Sequence, residues 1–208
     1  MDPRGRDADD EVVMLSDGTV VLRPWVCDDA SFMAEASADP AIRRFNGTLD
    51  HLGYPAPPLS TSGAEAVISD FISSWERYTS TGKPGAGVAF AIVDAGSGEL
   101  AGCCGLDDWS EQDVVQFGYW IAPQARGRGF ATRAANLLAR WLFDLGAARV
   151  VLKIVVGNDT SAGVARRAGF MHEETMRSQG VWQGQRCDVM LFAALAPESG
   201  EAERADGS

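Results

Sequence analysis

Gly127 and Gly129 stand where an apolar, strand-like run, Val114 to Ile121, gives way to a helical pattern from Gly129 to Leu145. A glycine-rich turn at such a junction aims several unpaired main-chain N–H groups at one point, with the positive end of the helix dipole behind them. That is a site for an anion, and a phosphate or pyrophosphate suits it best. Glycine also lets the main chain approach such a ligand with no Cβ in between. Two familiar phosphate motifs are excluded. The dinucleotide fingerprint needs a third glycine where Thr132 stands, and no Gly-Lys-Ser/Thr follows as in a P-loop. Charge agrees with a polyphosphate ligand: residues 123–170 hold eight Arg and Lys against Asp144 and Asp159, a local +6 in a chain of net charge −11.

Other reactive side chains are sparse. Cys27, Cys103, Cys104 and Cys187 have neither metal nor redox spacing and read as buried free thiols in a reducing cytoplasm. His51 and His172 are the only histidines and read as structural. Asp107, Asp108, Glu111 and Asp113 cluster just before the Val114 strand, some facing a ligand or all solvated on a loop. No metal site is expected. The acidic balance argues against a nucleic-acid partner. No apolar run reaches the ~18 residues of a membrane span, and Met1 to Glu11 lacks the apolar core of a secretory signal. A cytoplasmic location follows as an expectation.

The elements that must position these groups read in order. Residues 1–10 and 197–208 look disordered, polar and without periodicity, leaving one domain over 11–196. Ser16-Asp17-Gly18 predicts a hairpin between Val12–Leu15 and Thr19–Arg23. Asp28 is a plausible cap for a helix from Asp29 to about Ala38. Asn46 to Thr61 reads as a long loop, and Ala64 to Tyr78 as an amphipathic helix. Strands follow at Val88–Val93 and Leu100–Leu106, then the strand–turn–helix already described. Val150–Val156 is apolar apart from Lys153 and rich in β-branched residues, as suits a central strand. Asn158–Ala168 is a short helix that Asn158 or Thr160 could cap. Met171–Met176 and Arg186–Ala194 read as the last strands, with a loop over Gly180–Gln185.

Gln124-Ala125-Arg126-Gly127-Arg128-Gly129 resembles the Gln-x-x-Gly-x-Gly/Ala loop of the GNAT superfamily of acetyl-CoA-dependent N-acetyltransferases. A second block of that superfamily, Asn-x-x-Ser followed by Gly-Phe, is matched by Asn158, Ser161, Gly169 and Phe170. Leu22-Arg23-Pro24 followed by Asp29-Ala30 resembles the RimJ/RimL branch, whose members acetylate protein N-termini. The resemblance covers nearly the whole chain. It implies an α/β (α+β type) fold, with a mixed, mostly antiparallel sheet and helices on both faces. Its central strands, here Val114–Ile121 and Val150–Val156, splay apart so that pantetheine lies between them. It implies acetyl-CoA as cosubstrate, with the pyrophosphate held by the main chain of Arg126, Gly127, Arg128, Gly129, Phe130 and Ala131. Ile121, Thr132, Asn158 and Ser161 complete the expected cofactor contacts. A homodimer is common in the resembled branch.

The resemblance also implies direct attack of an amine on the thioester. Ser161 matches a serine placed near the sulfur and is a candidate general acid, unless it merely starts a helix. The tyrosine that many members place four residues before the glycine of Gly-Phe is replaced by Ala165. Gln116 stands where relatives often carry an acidic base, and Arg133 where a glutamate is common. A weak base favours a weakly basic acceptor. An α-amine of pKa ~7.8 is about 14% neutral at pH 7, and a lysine amine of pKa ~10.4 only about 0.04%. The gap is worth roughly 3.5 kcal/mol. The expected reaction is therefore acetylation of the N-terminal α-amine of a protein or peptide. Two alternatives stay open: a small-molecule amine acceptor (polyamine, antibiotic or amino-acid derivative), and a non-catalytic acyl-CoA-binding module.

Overall fold

A computed structural model describes residues 13–46, 49–81, 84–85 and 87–197. The disordered ends expected over 1–10 and 197–208 lie outside the described residues, Pro197 apart. The strands are β1 (Leu15–Ser16), β2 (Val20–Pro24), β3 (Ala89–Asp94), β4 (Leu100–Trp109), β5 (Val114–Ile121), β6 (Arg149–Val155), β7 (Met171–Trp182) and β8 (Gln185–Leu195). The helices are α1 (Ala30–Ser37), α2 (Pro40–Phe45), α3 (Thr61–Thr81), α4 (Phe130–Asp144) and α5 (Asp159–Arg167). All eight strands form one sheet in the order β1-β2-β3-β4-β5-β6-β8-β7. Every neighbouring pair is antiparallel except β5 and β6.

That one parallel pair is short. Its register holds for Val114↔Arg149, Val115↔Val150 and Gln116↔Val151 and then stops. Beyond it, β5 stays paired with β4 as far as Ile121↔Gly102, and β6 with β8 as far as Val155↔Val189. The two strands therefore splay, and the second half of β5 has an open edge. The expected splay is present.

Helices cover both faces. Phe90, Ile92, Cys104, Val115 and Phe117 turn towards α4, which buries Ala134, Leu138 and Leu142 against them. Burying one leucine of this kind fully contributes about 1.5–3 kcal/mol. Ala89, Ala91, Val93 and Cys103, the alternate residues, meet Met33 of α1 and Ala64 and Ile68 of α3. Period-2 alternation in the strands thus separates two apolar layers.

Several expectations are corrected. Asp29, not Asp28, organises the entry to α1: its Oδ2 accepts from the Val26 amide at 3.0 Å and pairs with Arg23 at 2.7 Å. Helix α2 was not expected. Asp39 caps it, accepting from the amides of Ala41 and Ile42, and Pro40 occupies the first turn. Gly180 to Trp182 belong to β7, so only Gln183-Gly184 remains as a turn. Of the thiols, Cys103 and Cys104 are buried, Cys187 is half-buried and Cys27 exposed. None of the described helices is long and apolar enough to cross a membrane.

Candidate active site

The turn after β5 is shaped as its glycines require. Gly127 and Gly129 have φ of +77° and +80°, the left-handed region, and a Cβ on either would project into open space. Gly129 is the N-cap of α4. Among the described residues, the amides of Gly127, Arg128, Gly129, Phe130, Ala131 and Thr132 donate to no protein acceptor of good geometry. The Arg126 amide differs, being turned towards Pro123 O at 3.4 Å. Five of the six amides expected to hold an anion, with that of Thr132, are available for one.

The arginines of this turn are tied to aspartates from three other elements. Arg126 Nη2 meets Asp39 Oδ1 at 2.6 Å, Arg128 meets Asp94, and Arg133 Nη1 meets Asp17 Oδ2 at 2.8 Å. Arg128 also lies over the Phe130 ring, 4.5 Å from its centre. The bond from Arg126 and the amides of Ile42 and Ala41 hold the Asp39 carboxyl below the ordinary carboxylate value. The local positive charge thus braces the turn as well as facing a ligand. Arg140 and Arg167 line a groove of about 480 Å³ that runs along α4 from Gly129 past Thr132 and Asn136.

On β5, Ala122 N donates to Ala101 O of β4 at 2.9 Å. Main-chain groups alternate between strand edges, so those of Ile121 and Tyr119 point to the open edge. Ile121 O accepts from Arg126 Nε at 3.1 Å. Tyr119 O accepts from Asn46 Nδ2 at 2.7 Å. The segment from Leu49 on lies at the far side of the splay, where Leu52 O accepts from Gly184 N at 2.6 Å and Gly53 O from Gln183 N at 3.1 Å. Gly53 is required there, because a Cβ would come within 2.4 Å of Val181 O. The expected loop is a strap from β5 to the β7–β8 turn.

Ser161 lies in the first turn of α5 but does not cap it. Asn158 does, its Oδ1 accepting from Ser161 N at 3.2 Å. The Ser161 hydroxyl instead meets the Tyr119 hydroxyl at 2.8 Å, and Tyr119 also donates to Ser161 O at 3.3 Å. The contact bridges β5 and α5 across the splay. Burial raises the Tyr119 phenol, against the bond to Ser161 and the charge of Arg167. A hydroxyl pair of this kind can relay a proton.

On the opposite face, the β4–β5 register shifts between Leu106 and Asp108 and leaves Asp107 as the extra residue. Bulges re-aim side chains, and this one lays the Asp107 carboxylate beside β5. Gln116 Nε2 donates to Asp107 Oδ2 at 3.1 Å, and a Cβ at Gly118 would lie 3.6 Å from that oxygen. Asp107 reaches solvent, as the wall of an open cleft does. Crowding by protein nevertheless raises its carboxyl above the ordinary value, against the Gln116 bond and the charge of Lys153. Beside Trp120 on the same face is a largely apolar cavity of about 290 Å³.

The sequence matches the acetyltransferase (GNAT) domain over residues 19–171. The chain belongs to the GNAT acetyltransferase family. It is an acetyl-CoA-dependent N-acetyltransferase. Over 66% of its length it is 29% identical to YdaF of Bacillus subtilis, a protein named as a candidate ribosomal N-acetyltransferase, of which the match covers 73%. Its fold is similar to that of RimL, a ribosomal L7/L12 α-N-protein acetyltransferase solved with coenzyme A. The TM-score there is 0.71 at 21% identity, over 89% of this chain and 98% of the other. It is equally similar to a ribosomal-protein-S5-alanine acetyltransferase from Vibrio fischeri, with TM-score 0.71 at 16% identity and the same coverages.

Acetyl-CoA, the cosubstrate of GNAT enzymes, fits what these residues offer. The unpaired amides and the open space at Gly127 and Gly129 suit a pyrophosphate, and the free edge of β5 suits an amide-bearing chain. Two residues at the splay are not singled out by the sequence: Tyr119 reads there as part of a strand, and Asp107 as one acidic residue among four.

Proposed function

We propose that this GNAT enzyme acetylates the α-amine of a protein or peptide, with acetyl-CoA lying along the open edge of β5. The observation that carries this reading is the placement of two proton-handling groups on opposite faces of the splay. Ser161 with Tyr119 is on one, and Asp107 with Gln116 on the other. Bound acetyl-CoA supplies the thioester that the amine attacks and the thiolate that must be protonated.

The chain's own residues account for binding and proton movement. The amides of Gly127 to Thr132 hold the pyrophosphate, and Arg140 and Arg167 favour further phosphate along the groove. Asn158 fixes the start of α5 and so the position of Ser161. Ser161 Oγ gives its proton to the sulfur as it takes one from the Tyr119 hydroxyl, which is reprotonated from solvent in the same relay, so that no buried phenolate persists. Asp107, ionised and oriented by Gln116, accepts the proton of the incoming amine beside Gly118. A carboxylate is a weak base even when its pKa is raised. It suits an α-amine, of pKa ~7.8, far better than a lysine amine near 10.4.

The test is turnover of a peptide with a free N-terminus and an internal lysine, with the acetyl group located by fragmentation mass spectrometry. The expected result is acetyl on the α-amine alone, and no product from the same peptide with its N-terminus blocked. Acetylated lysine, or turnover of spermidine in preference to peptides, would overturn the reading.

A further inference from the structure

The cavity beside Trp120 has a chemistry of its own. Its wall is built by Met33, Ile42, Leu59, Val67, Phe71 and Trp120, from α1, α2, the strap, α3 and β5. Among the described residues, the only charged side chain in the lining is Arg43. Ser37 is already engaged, donating to Ala34 O and accepting from Leu59 N. Arg43 Nη2 donates to Ala56 O at 3.1 Å, but its Nε is shut off from solvent and has no partner among the described residues. With Nε closed off and Nη2 engaged at Ala56, Arg43 braces the strap as one wall of the cavity. At about 290 Å³ the cavity is just below the ~300–1,000 Å³ of small-molecule sites, a size for one side chain rather than a whole ligand. It abuts the open edge, since Asn46 and Trp120 belong both to its wall and to the surroundings of Tyr119 O.

We propose that this cavity selects the acceptor. It takes a large apolar side chain on the first residue of a peptide, whose amine then sits at the open edge of β5. This rests on the peptide reading above and sharpens it. Among the described residues the lining holds a guanidinium and no carboxylate, which disfavours a polycation such as a polyamine. The cavity leaves an N-terminal alanine or serine with apolar surface unfilled.

The experiment is kcat/KM for peptides identical except at the first residue: Leu, Met or Phe against Ala, Ser and Lys, with spermidine as a further acceptor. Filling an apolar pocket by one methylene separates substrates by ~10–200-fold, so Leu or Met should lead Ala and Ser by at least about tenfold. Val67→Phe, which fills the cavity from α3, should shrink that lead by lowering kcat/KM for the Leu-, Met- and Phe-led peptides, while its melting curve stays near the wild type's. Equal turnover of Leu-led and Ala-led peptides overturns this inference and leaves α-amine acetylation standing. Spermidine acetylated with no peptide turned over overturns both.

Discussion

Tyr119 and Ser161, 42 residues apart, share a 2.8 Å hydroxyl contact that joins β5 to α5 over the splay. Because Asn158 caps α5, the Ser161 hydroxyl is not needed for the helix. Ser161→Ala should therefore lower kcat by about 10- to 100-fold, the low end of general-acid effects because water can substitute, with little change in CoA affinity. Tyr119→Phe should give a smaller drop that does not add to it, as expected of two groups acting as one relay. Steady-state rates at saturating acetyl-CoA, paired with melting curves, check this. An unchanged kcat in Ser161→Ala would remove the relay.

Asp107→Asn should cost about 10²-fold or more in kcat and abolish the acidic limb of the pH–rate profile. The wild-type rate should rise with pH as the Asp107 carboxyl, raised by burial, loses its proton. The stability effect has the opposite sign. A raised acid pKa means that the folded state holds the proton longer, so this group's contribution is full below about pH 3.9 and is lost as pH rises through the folded value. Asp107→Asn should thus melt no lower than the wild type at pH 7. Loss of both activity and melting temperature would mark Asp107 as structural.

Asp39 caps α2 and pairs with Arg126 of the phosphate turn. Asp39→Ala should cost about 1 kcal/mol for the cap and raise KM for acetyl-CoA by loosening the turn. Its carboxyl is held low by Arg126, so its stabilisation is present above pH ~3.9 and lost as pH falls through the folded value. Melting temperatures of variant and wild type should converge in acid. A constant gap down to pH 2 would show that the ion pair contributes nothing.

Long periodic segments were legible in the sequence because a single signal fixed each one. α4 carries its apolar stripe, β6 its β-branched, mostly apolar run, and the glycines between β5 and α4 their turn. What escaped was set by tertiary contact or by a short signal. Asp39-Pro40 is a cap followed by a first-turn proline, but α2 has only six residues. Gly180 looked like a loop residue. In β7 it is glycine because a Cβ would lie 2.7 Å from Cys187 Sγ. The approach of Asp107 to Gln116 depends on a bulge, and that of Tyr119 to Ser161 on the angle of the splay. Neither leaves a local pattern.

Acetyl-CoA should also stabilise the fold. A ligand at about 100 times its Kd adds ~2.7 kcal/mol, or roughly 5–10 °C in Tm for a domain of this size. NAD and ATP should shift Tm far less.

The most direct measurement is calorimetric titration of CoA into the wild-type protein and into Gly129→Val. Gly129 is at φ +80° with open space beyond it, so valine strains the turn and stands where the pyrophosphate should lie. Binding should weaken at least about 100-fold, the loss of two charge-assisted hydrogen bonds at ~1.5 kcal/mol each, in a variant that still melts cooperatively. Undiminished affinity in the folded variant would place the pyrophosphate elsewhere and contradict the assignment of this turn.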